Sequence, residues 1–190
     1  MRRLTVFLHV TVDGFFAGPR GEIDWFKSIR KDDEYEAYTH GQAQSGNTLI
    51  FGRATYEMMK SYWPSADAIA RDPAMARVVN ESPKIVFSRT LPAAEEGPNW
   101  KNVTVAREIE PSDFRKRKAE ARADFTILGS GSIVRQLGSL GLIDEYALVV
   151  VPLLLGAGKP LFEDFEPTSL ELLESRAFQN GLVLLRYKPL

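Results

Sequence analysis

Hydrophobic positions alternate along residues 3–12, where Leu4, Val6, Leu8, Val10 and Val12 share one face of an extended segment. A period of two, carried by β-branched and aromatic residues, predicts a strand. Asp13-Gly14 and Gly18-Pro19-Arg20-Gly21 then mark a turn-rich loop. Residues 32–44 read as a helix whose acidic first turn suits a helix N-terminus. A short apolar run at 47–51 stops at Gly52, and residues 53–61 form the next helical stretch, ended before Pro64. Within the polar, proline-bounded segment 64–83 a short helix is predicted around 74–79. Residues 84–88 and 102–106 read as strands, Pro111 opens a helix, and 125–129 is another short strand. A helix over 132–140 follows, closed by Gly141.

Residues 145–155 are almost continuously apolar, which suits a strand covered on both faces. The tail alternates again over 168–178 and 182–188, and Asn180-Gly181 between these stretches is a strong hairpin signal. Strands alternating with helices and closing on a hairpin predict an α/β fold. The expected form is a three-layer α/β/α sandwich with a mostly parallel sheet and an antiparallel C-terminal hairpin. No repeat or linker divides the chain, and its 190 residues are expected to form a single domain, 1–190.

Composition narrows the chemistry. Hydrophobic residues supply 44% and charged residues 26%, an ordinary globular balance that excludes disorder and low-complexity arrays. The net charge of −1 gives no global pull towards nucleic acid or an anionic membrane. Cysteine is absent, so disulfides, thiolate metal sites and thiol nucleophiles are excluded. With His9 and His40 the sole histidines, no metal site is expected. Met1-Arg2-Arg3-Leu4 runs straight into the first strand and does not read as a signal peptide, and no eighteen-residue apolar window exists. A cytoplasmic protein is the expectation.

Two places carry a short strand into glycine and then a helix: Phe51-Gly52-Arg53-Ala54-Thr55 and Leu128-Gly129-Ser130-Gly131-Ser132. Free N–H groups and the helix dipole favour an anion at such a junction, and two adjacent junctions could hold the two phosphates of one pyrophosphate. Glycine at a strand–helix turn is also an ordinary structural need of α/β proteins. The second site is not a Rossmann fingerprint, since Val134 stands where the third glycine belongs. Ser88-Arg89-Thr90 closes a strand with a guanidinium between two hydroxyls, a set suited to phosphate oxygens as well as to a solvated loop. His9 lies on the face opposite Leu4, Val6 and Leu8 and reads as a satisfied sheet histidine rather than a catalyst. The run Arg115-Lys116-Arg117-Lys118 reads as a wet helix face, without the interleaved aromatics that nucleic acid binding needs.

These residues resemble a family. Thr11 to Ala17, Phe51 to Glu57, Phe87 to Thr90 and Leu128 to Ile133, in that order, are similar to the dihydrofolate-reductase-like superfamily. The segment Gly141 to Glu145, followed by Val151 to Phe162, is similar to the branch related to the reductase domain of bifunctional riboflavin-biosynthesis enzymes. The resemblance covers almost the whole chain and implies a dihydrofolate-reductase-like domain binding NADPH at the C-terminal ends of the sheet strands. It implies that Gly52, Arg53, Ala54 and Thr55 meet the pyrophosphate and that Gly129, Ser130, Gly131, Ser132 and Ile133 cradle it from the other side. It further implies that Ser88, Arg89 and Thr90 meet the adenosine 2′-phosphate, while Ala17 and Gly18 lie near the nicotinamide. Val12, Asp13, Trp25 and Phe26 are the candidate substrate walls, and Asp13 and Asp33 the candidate catalytic carboxylates. Ser132 departs from the acidic residue that riboflavin-pathway reductases often carry after this glycine cluster, and a chain without cysteine has no zinc deaminase.

The leading expectation is an NADPH-dependent reductase moving hydride to a small heterocyclic substrate, pterin- or pyrimidine-like. The competing one is an NADP-binding module of the same fold without turnover. Neither nucleic acid nor membrane is an expected partner. The apolar C-terminal stretches, including Leu170, Leu172, Phe178, Leu182 and Leu184, together with the loop from Pro152 to Phe162, predict a homodimer through this end.

Overall fold

The computed structural model describes residues 1–94, 96–163 and 165–190. At its centre is β1 (Leu4–Thr11). Every second residue of β1 is buried, as the alternation predicts. Parallel neighbours flank it: β6 (Phe125–Ile127) with Leu4 opposite Phe125, and β7 (Glu145–Val151) with Thr11 opposite Val151. Beyond β6 lie β3 (Thr48–Gly52), β4 (Lys84–Phe87) and β5 (Val103–Ala106), all parallel. Beyond β7 the hairpin of β9 (Leu170–Ala177) and β10 (Val183–Pro189) runs antiparallel. The resulting order is β5-β4-β3-β6-β1-β7-β10-β9.

Helices cover both faces. On one, α5 (Pro111–Glu120) and α6 (Gly131–Ser139) bury Phe114, Ile133, Val134 and Leu137 against Leu4, Val6, Ile50 and Ile127. On the other, α2 (Arg53–Tyr62) and α4 (Pro73–Glu81) pack Tyr56 and Val79 on Leu49, Phe51 and Val86. Beside them α1 (Asp33–Ala43) sets Tyr35 and Tyr38 against Val149, Phe178 and Leu184. Three layers result, as expected from the alternation of strands and helices. No helix among the described residues is long and apolar enough to cross a membrane.

The differences from the sequence reading are local. The segment 64–83 contains two helices, because α3 (Ala66–Arg71), capped by Ser65, precedes α4, capped by Asp72 with Pro73 in its first turn. A 3₁₀ helix (Asp24–Ser28) and a two-stranded sheet of β2 (Phe15–Ala17) with β8 (Lys159–Pro160) are too short for periodicity to reveal. The apolar run 145–155 leaves the ladder at Val151, since Pro152 has no N–H to continue it, and Leu154 is 71% exposed. The hairpin turn has positive φ at Gly181 but not at Asn180, and Gly181 donates to the Phe178 carbonyl. That is a three-residue loop with glycine at the bulge, not a two-residue turn. Phe178, Leu182 and Leu184, expected at an interface, are buried inside the chain, whereas Leu170, Leu172 and Leu173 on the edge strand β9 are exposed.

Lys84, buried at the start of β4, replaces a cap: its ammonium donates to the carbonyls of Asn80 (3.0 Å), Ser82 (2.7 Å) and Lys101 (3.0 Å) and lies over the Trp100 ring. Burial pushes its pKa down to about 8, while the three carbonyls hold the charge in place. Lys84→Met leaves these acceptors without a donor and is expected to lower stability by about 2–4 kcal/mol, read as a reduced urea midpoint. A midpoint equal to that of the parent protein would refute the capping role.

Candidate functional site

Strands β3 and β6 are neighbours and both run into glycine at the same edge of the sheet, Gly52 closing β3 and Gly129 following β6 after Leu128. Gly52 N–H donates to the Gly129 carbonyl at 3.1 Å, joining the two junctions directly. A Cβ on Gly52 would fall 2.2 Å from Ser130 Oγ, and one on Gly129 would fall 2.7 Å from Thr55 Oγ1. A Cβ on Gly131 would fall 2.6 Å from the Phe16 ring. The Gly129–Ser130 peptide is cis, and Gly129 has φ +131°, which a side chain would strain. Here glycine is a condition of close approach between loops.

Helices α2 and α6 start at this edge, and neither N-cap residue, Gly52 or Ser130, makes a side-chain capping bond. Neither first turn carries an acidic residue. The contrast with α1, α3 and α4 is direct, since Asp32, Ser65 and Asp72 cap those helices. Two adjacent helix starts with uncapped N–H groups and no negative charge form a cradle for an anion. Arg53, Ala54 and Thr55 line the first start, and Ser132, exposed, and Ile133, buried, the second.

The third wall follows β4. Arg53 Nη1 donates to Thr90 Oγ1 at 2.8 Å and Arg53 Nε to Glu57 at 2.7 Å, so the Arg53 side chain ties the α2 start to the Ser88-Arg89-Thr90 loop. Ser88 Oγ is turned inward and accepts from the Leu91 N–H at 3.0 Å. Arg89 is exposed and forms no ion pair among the described residues, so its guanidinium is available. A residue that the sequence reading missed sets this loop. Arg107 donates to the carbonyls of Ser88 (3.1 Å), Leu91 and Pro92 (2.7 Å). The available signal was register: Phe87 pairs with Ala106 across β4 and β5, which puts Arg107 beside Ser88.

The end of β1 supplies the fourth side. Asp13 accepts from the Thr11 hydroxyl at 2.5 Å and from the N–H groups of Leu155 and Gly156, at 3.0 and 2.8 Å. The Thr11 hydroxyl and the Gly156 N–H hold its carboxyl below the usual carboxylate range. Asp13 is thus an ionised clamp on the loop after β7, a poor proton donor at neutral pH. Asp33 is 94% exposed and paired with Lys31, away from these contacts. Its neighbour Asp32 is the committed carboxylate, capping α1 through Tyr35 N–H and accepting from Asn180 N–H of the hairpin turn, both at about 3 Å. Ala17 and Gly18 are buried at the end of β2. Val12 is 61% exposed. Trp25 and Phe26 stack on each other at 4.3 Å, beneath α1. Phe26 in turn meets His9, whose Nε2 lies 2.5 Å from Tyr35 Oη. Burial lowers the His9 pKa to about 4, so its imidazole is neutral. A hollow of about 180 Å³ bounded by Ala76, Arg77, Asn80 and Lys101 sits at the opposite, N-terminal edge of β4 and β5, apart from this constellation.

The RibD C-terminal domain family matches residues 2–184, and the chain belongs to that family. Two Bacillus subtilis (strain 168) proteins are similar over nearly their full length. Uncharacterized protein YyaP is 30% identical, across 98% of this chain and 94% of that one, and Uncharacterized protein YwjB is 26% identical, across 96% of each. Among solved structures, one from Shewanella sp. PV-4, provisionally named a riboflavin biosynthesis protein, superposes with a TM-score of 0.78 at 22% identity, over 100% and 99% of the two chains. Dihydrofolate reductase from Enterococcus faecalis, complexed with NADP(H), gives 0.63 at 13% identity, over 98% and 96%. The fold is therefore the dihydrofolate-reductase-like, reductase-type fold that the motifs suggested.

If Arg107 shapes the Ser88–Pro92 loop, Arg107→Met should leave the fold intact and reduce hydrogen-exchange protection of the Leu91 amide about tenfold, equivalent to ~1.4 kcal/mol. Unchanged protection at Leu91 would remove Arg107 from the site.

Proposed function

We propose that this protein is an NADPH-dependent oxidoreductase acting on a small heterocyclic substrate. The observation that carries the reading is the pair of uncapped, glycine-lined helix starts joined by the Gly52–Gly129 hydrogen bond. The residues present fit a dinucleotide, because the close approach that excludes a Cβ at Gly52, Gly129 and Gly131 leaves backbone N–H groups as the donors. Gly52, Arg53, Ala54 and Thr55 would hold the pyrophosphate from the β3 side, and Gly129, Ser130, Gly131, Ser132 and Ile133 from the β6 side. Ser88, Arg89 and Thr90 would take the adenosine 2′-phosphate, with the exposed Arg89 guanidinium its charged donor. Ala17 and Gly18 would border the nicotinamide, which supplies hydride when the cofactor is bound. Family membership supports an oxidoreductase over a bare nucleotide-binding module. NADPH oxidation in the presence of pterins, pyrimidines and quinones, set beside a binding titration, tests the choice; binding without turnover of any of them would favour the module.

We also propose a homodimer that uses the C-terminal hairpin. Support comes from β9, an edge strand with Leu170, Leu172 and Leu173 exposed, and from the nearby exposed Leu190. An open, apolar edge of this kind is a template for pairing, and a two-fold partner is the simplest cover.

NADPH is expected to bind about ten- to a hundredfold more tightly than NADH, the worth of ~1.5–3 kcal/mol from a charged contact to the 2′-phosphate. Arg89→Ala should erase most of that preference in isothermal titration, and a mutant with the full preference would show the assignment to be wrong. For assembly, light scattering at micromolar concentration should give twice the mass of one chain, and Leu172→Glu should shift it towards one. A single-chain mass for the parent protein sinks the dimer.

A further inference from the structure

We propose that His9 is the proton donor of the reaction and that the substrate is a neutral planar molecule whose hydride-accepting double bond ends in, or is conjugated to, a nitrogen or oxygen acceptor. The inference rests on the reductase reading above and adds to it the donor and the class of substrate.

The placement comes from the sheet. His9 lies three residues beyond Val6, the last β1 residue paired with β6, and so towards the strand ends from which the glycine loop departs. Leu8 and Val10 point into the α5–α6 core, so His9 faces the other side, where α1 covers β7 and β10 and α2 covers β3. Helix α1 packs on α4, and α1 and α2 belong to separate hydrophobic clusters, which leaves this stretch of β1 at the boundary between them. His9 is half-buried there, walled by the rings of Phe7, Phe26 and Tyr35 at 4.7 to 5.9 Å.

Its hydrogen bonding is half complete. Tyr35 Oη has no partner other than His9 Nε2 among the described residues. We take the hydroxyl as donor to the Nε2 lone pair, which places the ring proton on Nδ1. Nδ1 has no protein partner among the described residues. Nor is it sealed off as Trp25 Nε1 and Tyr56 Oη are, so it opens onto accessible space. An Nδ1–H without a protein acceptor, set among aromatic walls, suits a flat ligand with an acceptor atom.

Charge narrows that ligand. The carboxylates around this end of β1 are all engaged, Asp13 by Thr11, Leu155 and Gly156, Asp32 by Tyr35 and Asn180, and Asp33 by Lys31 in solvent. The imidazole is itself neutral, so it offers a cationic ring no counter-charge. Burial, with Tyr38 nearby, raises the Tyr35 pKa, so the phenol is neutral too. As the substrate carbon gains hydride, a C–H bond forms, the π bond breaks, and its electron pair moves onto the heteroatom. A bound dihydronicotinamide would supply that hydride and be oxidised by its loss. The heteroatom takes the proton from His9 Nδ1, Nε2 takes the Tyr35 proton in exchange, and the phenolate is reprotonated from water. Tyr35 is the positioning residue that fixes the tautomer and refills the donor.

The test uses the whole protein, labelled with ¹⁵N-histidine and studied with and without NADP⁺. Quinoxaline and menadione serve as neutral probes and N-methylquinolinium as a cation of similar shape. His9 should show protonated Nδ1 and bare Nε2, the Nδ1–H resonance should move on adding a neutral probe, and the cation should bind at least about tenfold more weakly. Tyr35→Phe should mix the two tautomers and weaken quinoxaline about tenfold, with NADP⁺ affinity unchanged. His9→Gln, which keeps an amide donor, should retain more quinoxaline affinity than His9→Phe. A His9 protonated on Nε2, or an Nδ1–H resonance unmoved by millimolar quinoxaline and menadione, overturns the proposal. NADP⁺ affinity is read separately, so its absence strikes the cofactor reading while the histidine resonances still report on His9.

Discussion

Gly52 N–H can reach the Gly129 carbonyl because neither residue carries a side chain, and the surrounding architecture follows from that one contact. It draws the ends of β3 and β6 together so tightly that a methyl on Gly52 would overlap Ser130. With the strand ends locked, helices α2 and α6 must begin side by side, their dipoles converging on one place. A capping side chain would quench that field, and none is present at either start. The paired, uncapped helix starts are thus a consequence of packing, made from backbone that the fold needed in any case.

The remaining walls are hung on this frame by charged side chains whose partners are mostly backbone. Arg107 gathers carbonyls from the loop after β4, Arg53 bridges from α2 to Thr90, and Asp13 gathers N–H groups from the loop after β7. Each ties a loop without regular structure of its own to a distant part of the chain. Together they hold irregular segments with the precision of a sheet, which loops of this length otherwise lack.

Much of this was legible in the sequence, and the limits have physical causes. Strand alternation and the two strand–glycine–helix junctions are local patterns, so β1, β3, α2 and α6 appear within one or two residues of their places. The cofactor candidates are backbone-dominated, and Gly52 and Gly129 announce themselves because close approach demands glycine. Side-chain roles that depend on a distant partner were not visible. Of the adjacent carboxylates, Asp32 rather than Asp33 turned inward, a choice made by Asn180 nearly 150 residues away. Phe178, Leu182 and Leu184 read as a surface stripe because nothing local reveals that α1 and Trp25 lie over them. For His9, alternation gives its face but not its partner, the Tyr35 hydroxyl.

The central position of β1 has a bearing on how the chain is made. Leu4 lies opposite Phe125 and Thr11 opposite Val151, so β1 leaves the ribosome well over a hundred residues ahead of either neighbour. An apolar segment must therefore wait, unpaired on both edges, until both have been made. Such a topology ties completion of the central strand to segments made much later and favours slow folding through exposed intermediates.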